Sequence, residues 1–321
     1  MTRSPSYDSS QSSHSKAVYV LGLACALTGL GAWAQGPTPA GPSLTFSPAI
    51  DLSSDSDSFD IRRTSIDIQK PTATHTHGIR LTDMQYKSPG TRLSGQRLDW
   101  TYQQGNPIAG QGLQLALGIS EVANHQQVLG DLLWSHPLSK PLTLSLEASR
   151  NWVESELGLA QGLYSTAGFA ILEYQATERL LLIGMAGQES FSDGNTRNHQ
   201  RARVIYDLAP TYGVATHWRY RRYTNSSPNP NYFSPNTYEE QMALISWRRR
   251  HEGWMAYALL GLGQQQVNRG PSTSTRLLEL RLTSPASARA TYGVHMGYSN
   301  SANSQRSDRY HYRYIKLVVE F

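Results

Sequence analysis

Between residues 217 and 221 the chain reads His-Trp-Arg-Tyr-Arg, and the two parities of that run are chemically different. Alternate side chains of an extended strand point to opposite faces, so His217, Arg219 and Arg221 share one face while Trp218 and Tyr220 share the other. A row of guanidiniums on the wall of an aqueous passage would filter or guide solutes. The same residues at a strand end would only snorkel or meet lipopolysaccharide phosphates. A long polar loop follows, closed by Asn231, Tyr232, Phe233, Ser234 and Pro235, and then a second strand ending in Trp247-Arg248-Arg249.

Other chemistry is sparse. The run Thr-His-Thr-His puts His75 and His77 on one face, a two-ligand corner without a third ligand, so a hairpin-end pair is the better reading and no metal or other cofactor is expected. Asp51, Asp55 and Asp57 lack the Gly and Glu positions of a calcium loop. There is no Gly-x-Ser-x-Gly elbow, His-Glu-x-x-His helix or phosphate loop. His217 or His295 could serve a serine hydrolase of the membrane-phospholipase type, but no partner motif singles itself out. The expectation is a protein that is not an enzyme.

The elements that would carry these residues alternate with period two. Leu113, Leu115, Leu117 and Ile119 oppose Gln114, Ala116, Gly118 and Ser120. Leu142, Leu144 and Leu146 oppose Thr143, Ser145 and Glu147, and Leu278, Leu280 and Leu282 oppose Glu279 and Arg281. Turn-rich stretches such as FSDGNTRNHQ and NRGPSTST separate the runs, and no segment holds a helical period over three turns. The reading is all-β, with about 14 to 16 strands of about ten residues, sixteen being the best fit.

Composition narrows the class. With 17% charged residues and a mean hydropathy of -0.47, the chain is too polar for a bundle of membrane helices. Its one continuous apolar run, Ala17 to Leu30, follows Lys16 and precedes Ala32-Trp33-Ala34, which reads as a cleaved signal peptide over residues 1–34. The single cysteine, Cys25, lies inside that run, so no disulfide framework is expected. Residues 35–57, rich in Pro, Gly and Ser, read as a disordered leader, and 58–321 as the folded unit. A net charge of +5 without a basic cluster points away from nucleic acid.

The faces opposite the apolar ones carry Gly, Ser, Thr, Gln and isolated charges, and aromatics stand near strand ends. That suits a transmembrane antiparallel β-barrel, apolar and aromatic-girdled outside and wet inside, in the outer membrane of a Gram-negative bacterium. The inward charges would be Arg97, Asp99, Glu147, Arg201, Arg203, Asp207, Arg219, Arg221, Glu279, Arg281, Lys316 and Glu320, mixed with a slight basic excess. The pore-lining set of interest is His217, Arg219, Arg221, Arg97, Asp99, Glu147, Glu279 and Arg281.

The last strand places Ile315, Leu317, Val319 and the terminal Phe321 on one face, which resembles the carboxy-terminal assembly signal of outer-membrane barrels and implies the barrel assembly machinery as a partner. Together with the Tyr232, Phe233, Ser234, Pro235 loop it resembles the barrel domain of exopolysaccharide export porins, the family serving poly-N-acetylglucosamine and cellulose secretion. The likeness runs by strand rhythm from about Asp57 to Phe321. It implies a porin that conducts a secreted polysaccharide for a biofilm matrix, bounded by outer-membrane lipid and lipopolysaccharide. The family's helical repeat scaffold is missing here, so a periplasmic scaffold would be a separate protein, and the acidic lumen expected for a cationic polymer is missing too. A general or structural barrel with a plugged lumen is the runner-up, and a barrel-embedded lipid hydrolase the third reading. Intact-mass analysis of the membrane form should show Gln35 as the amino terminus; retention of residues 1–34, or a lipid on Cys25, would contradict the processing expectation.

Overall fold

The computed structural model describes residues 44–285, 290–303 and 310–321, so the expected signal peptide and cleavage site lie outside the described residues. Sixteen strands follow one another in chain order: β1 (Thr45–Asp55), β2 (Asp60–Pro71), β3 (His75–Ser88), β4 (Thr91–Asn106), β5 (Gln111–Val122), β6 (His125–Ser139), β7 (Leu142–Trp152) and β8 (Tyr164–Gln175). The second half comprises β9 (Leu180–Phe191), β10 (Thr196–Ala209), β11 (Val214–Asn225), β12 (Thr237–His251), β13 (Trp254–Val267), β14 (Thr273–Thr283), β15 (Thr291–Ser299) and β16 (Tyr312–Glu320). Each pairs antiparallel with the next, and β1 pairs with β16 to close a barrel. The one α-helix among the described residues, α1 (Glu156–Ala160), lies in the β7–β8 connection.

The period-two faces become the outside and inside of the barrel. Leu98, Leu117 and Ile119 are more than half exposed on the outer surface, whereas Asp99 and Ser120 between them are 2% and 1% exposed. Trp100 stacks on Tyr102, and the His75 and His77 rings, 5.6 Å apart, join that outer aromatic row. Tyr102, Tyr174, Trp247 and Trp254 lie toward the end of the barrel that carries both termini, as an interfacial girdle would. Two long connections, 153–163 and 226–236, lie at the opposite end, as do residues 300–303 and 310–311 between β15 and β16.

Two expectations change. The leader assigned to 35–57 is in part a strand, because β1 runs from Thr45. Its Pro, Ser and Asp content hides a strict alternation, with Phe46, Ile50 and Leu52 exposed outward and Asp51 and Ser53 turned inward. Pro48, which has no N–H to give, stands between the Phe46–Phe321 hydrogen-bonded pair and the ladder that begins at Ala49, a local break near the start of the strand. The interior is also not uniformly polar. Ile171, Leu181, Ile183 and Ile205 form one apolar patch on the inner wall, and Met242, Leu244, Tyr257 and Leu259 form another.

At the seam, Phe46 and Phe321 exchange backbone hydrogen bonds (3.3 and 3.0 Å) and their rings lie 6.4 Å apart. The terminal residue therefore clamps the closing pair at its open end. Deleting Phe321 should lower the heat-modifiable, compact barrel severalfold in outer-membrane fractions, read by gel mobility with and without boiling; a normal yield would remove the assembly role.

Candidate functional site

The register of β10 against β11 sets arginine opposite arginine. Arg201 faces Arg221 and Arg203 faces Arg219, giving a two-by-two block on the inner wall. Directly opposed like charges destabilise a sheet. One carboxylate from the next strand offsets part of the repulsion: Glu240 of β12, its side chain fully buried, accepts from Arg219 Nη2 (2.9 Å) and Arg221 Nη2 (2.7 Å). Tyr238 Oη and Ser301 Oγ also donate to Glu240 Oε2, so a residue of the 300–311 connection is fixed to the same acid. On the outer parity Trp218 stacks on Tyr220.

The remaining residues of the expected pore-lining set divide into separate groups. Arg97 donates to Asp99 (2.7 Å), to Asp131 (3.1 Å) and to Asn151 (2.9 Å), and Asn151 donates back to Asp131 (2.7 Å). This network ties β4, β6 and β7 together inside the wall. Glu147 is buried within Coulombic reach of Arg201 and Asp131. Arg281 contacts Glu279 (3.7 Å) and donates to His295 Nε2 (3.2 Å), which also meets Tyr314 Oη (2.7 Å).

The structure supplies His217 with a serine that the sequence did not single out. Ser246 Oγ lies 2.8 Å from His217 Nε2, and Arg203 Nη2 lies 3.1 Å from Nδ1. A guanidinium can only donate, so Nδ1 accepts and the imidazole proton sits on Nε2, directed at the serine. A base for nucleophilic catalysis needs Nε2 bare. The pair is therefore wired as a structural chain and not as an activated serine. Among the described residues no group of three His, Cys, Asp or Glu could hold a metal ion.

Arg201, Arg219, Arg221 and Glu279 open on a lumenal cavity of about 480 Å³ at the long-loop end. Asp51 and Asp55 of β1 line the far side, about half the ring away. The two walls differ in compensation. Asp51 has Arg63 and Lys316 as its two cross-strand neighbours, whereas the arginine block has mainly itself and Glu240.

Two connections fold over this cavity. In the 153–163 connection, Ser155 caps α1 by accepting from Gly158 N (3.0 Å), and Leu159 is fully buried against an inner cluster that includes Met84, Tyr86 and Trp152. Glu154 pairs with Arg63 on β2, Glu156 accepts from Thr91 (3.1 Å), and His125 Nε2 meets Ala160 O (3.1 Å). Gly162 has φ +67°, and a Cβ there would lie 2.5 Å from the His125 ring, so glycine permits this close approach. On the other side Asn231 of the 226–236 connection exchanges amide hydrogen bonds with Gln161 (3.1 and 2.9 Å) and accepts from Ser155 Oγ (2.6 Å).

The Tyr232, Phe233, Ser234, Pro235 motif is the folded part of that second connection. Tyr232 stacks on Phe191 at 4.5 Å, accepts from Asn195 (3.0 Å) and donates to Asp193 (3.3 Å); burial pushes its hydroxyl well above the ordinary tyrosine range. Phe233 O accepts from Arg197 (2.5 Å), Pro235 O accepts from Asn225, and Ser234 exchanges hydrogen bonds with Asn229. The motif therefore shapes the mouth and binds its own scaffold. Sequence reasoning missed the 153–163 connection, Glu240 and Asp131. Extending the β12 parity from Tyr238 through Glu240 to Met242 would have found Glu240.

No family model matches the chain, and no curated protein matches it. Among solved structures it is similar to one described as a bacterial polysaccharide outer membrane secretin, with a TM-score of 0.70 at 10% identity, covering 88% of this chain and 99% of that one. Weaker likenesses include Pseudomonas aeruginosa OccK3, with a TM-score of 0.43 at 10% identity over 87% and 94% of the two chains. Another is the KdgM porin in complex with disordered oligogalacturonate, with 0.39 at 10% over 86% and 98%. The fold is thus that of a sixteen-stranded outer-membrane barrel. Glu240→Gln would leave Arg219 and Arg221, side by side on β11, without their shared acid, a loss of about 3 kcal/mol or more for a broken buried pair. The variant should unfold in detergent at lower temperature than wild type; equal melting would mean that the acid does not hold the block.

Proposed function

We propose that this chain is exported to the outer membrane of a Gram-negative bacterium and conducts a secreted polysaccharide there as the porin of an exopolysaccharide export system. The observation that carries the reading is the charged lumenal cavity beneath the paired loops, in a barrel whose fold is similar to that of a polysaccharide secretin. With the long loops outside and the termini in the periplasm, chain entering from below meets the apolar inner patches first and the arginine block before the mouth. Alternating apolar and charged wall suits a carbohydrate, whose ring faces are apolar and whose edges are polar.

In that orientation Arg249 and Arg250 stand at the periplasmic rim beside the termini, away from the lipopolysaccharide leaflet, so their role there is interfacial snorkelling. The second reading, a structural barrel with a plugged lumen, draws on the loops that fold inward and on the apolar interior patches. Conductance separates the two. In a planar bilayer the wild-type barrel should pass ions with anion preference, and replacing Arg219 and Arg221 together by Gln should reduce that preference without loss of the folded form. Producing cells lacking the protein should release severalfold less polymer; unchanged release would remove export and leave the plugged barrel as the better account.

A further inference from the structure

From the arginine block we infer that the lumen holds a binding site for anionic groups on a glycan, carboxylate or sulfate, centred on Arg201, Arg219 and Arg221. The inference deepens the export reading and rests on it for the carbohydrate part alone. Arg201 and Arg221 are direct cross-strand partners, and all three side chains line the same cavity. A guanidinium offers five N–H donors. Arg219 directs one nitrogen to Glu240 and Met242, and Arg221 directs one to Glu240 and Tyr238. The Nε atoms of both are buried without a hydrogen-bond partner. Arg201 makes no hydrogen bond and no ion pair within 4 Å among the described residues. Glu240 is thus shared by two of the three guanidiniums, Glu147 and Glu189 act on Arg201 only at a distance, and all three arginines line the cavity.

The cross-strand neighbours compensate only in part. Across β12 Arg221 faces Glu240 but Arg219 faces Met242, and across β9 Arg201 faces Met185. On the far side, by contrast, Asp51 has a base on both flanking strands, Arg63 and Lys316. The partly compensated charge is completed when an anionic group enters, because forked guanidiniums bind oxyanions bidentately and with the strength of charge-assisted hydrogen bonds. Tyr223 and Phe233, which line the same cavity, would meet the ring carrying that group. The ligand class is therefore an acidic polysaccharide, not a cationic, deacetylated one.

The test uses purified full-length barrel in detergent, with oligomers of equal length in which the sugar is neutral, carboxylated or sulfated, and binding measured by calorimetry. The acidic oligomers should bind and the neutral one should not, and the stronger of the two identifies the anionic group. Arg201→Gln should weaken binding about tenfold, while Arg201→Lys, which keeps the charge but loses the fork, should retain only part of it. Neutral and acidic oligomers binding alike, or Arg201→Gln binding as wild type, would overturn the inference. Should Arg201→Gln fail to fold, raising salt on the wild-type protein gives the second reading: binding must fall as ionic strength rises, and salt-independent binding would overturn the site. Loss of acidic-oligomer binding in the tube and unchanged polymer release in a null strain are separate results, so failure of the site and failure of the export reading are distinguishable.

Discussion

Every strand of this chain depends on the seam between β1 and β16. A spanning sheet with an open edge would leave a column of N–H and C=O groups facing lipid, each unsatisfied group costing several kcal/mol. The pairing of Ala49 to Asp55 with Tyr312 to Val318 removes that edge and converts fifteen local hairpins into one closed surface. Closure also fixes parity around the whole ring. Once Leu317 points outward, Lys316 must point inward, and so must Asp51 beside it. The interior chemistry follows from that single topological step.

Inside the ring, charges are treated in two ways. Arg97 with Asp99 and Asp131, and Arg80 with Asp67, are acids and bases paired with one another within and between strands, which ties the wall together. The β10–β11 block is different, since its register sets like charge against like and shares one acid among several bases. A structure tolerates such an arrangement only when its other contacts over-determine the register, as the full ladders on both sides of β10 and β11 do here. The local penalty is therefore borne by the sheet, and the charge stays available.

Much of this was legible because alternation is a strong signal when one face is purely apolar. Leu113 to Ile119 and Leu142 to Leu146 could be oriented at sight, and the inward parity of Arg219 and Arg221 followed from Trp218 and Tyr220. The signal failed where composition and periodicity disagreed. In β1 the Pro and Ser content outweighed a period-two pattern only a few residues long. In β9 and β12, runs such as Leu180 to Ile183 and Met242 to Ile245 are apolar on both faces because the inner wall is itself apolar there, so parity could not be read. The 153–163 connection carries no pattern at all. Its position is decided by contacts with Arg63, Thr91 and His125, residues distant in sequence, and no local rule contains that information.

That connection joins distant parts of the rim. It is anchored to β2 through Glu154 and Arg63 on one side and to the 226–236 connection through Asn231 on the other. A cylinder of hydrogen-bonded strands is stiff along its ladders but soft toward flattening, since an oval cross-section leaves every ladder intact. A chord between opposite parts of the rim resists that flattening in the way a tie-rod holds a vault. The mouth of this barrel therefore keeps its shape under lateral pressure from the surrounding bilayer, while the unbraced end near the termini is left freer to deform.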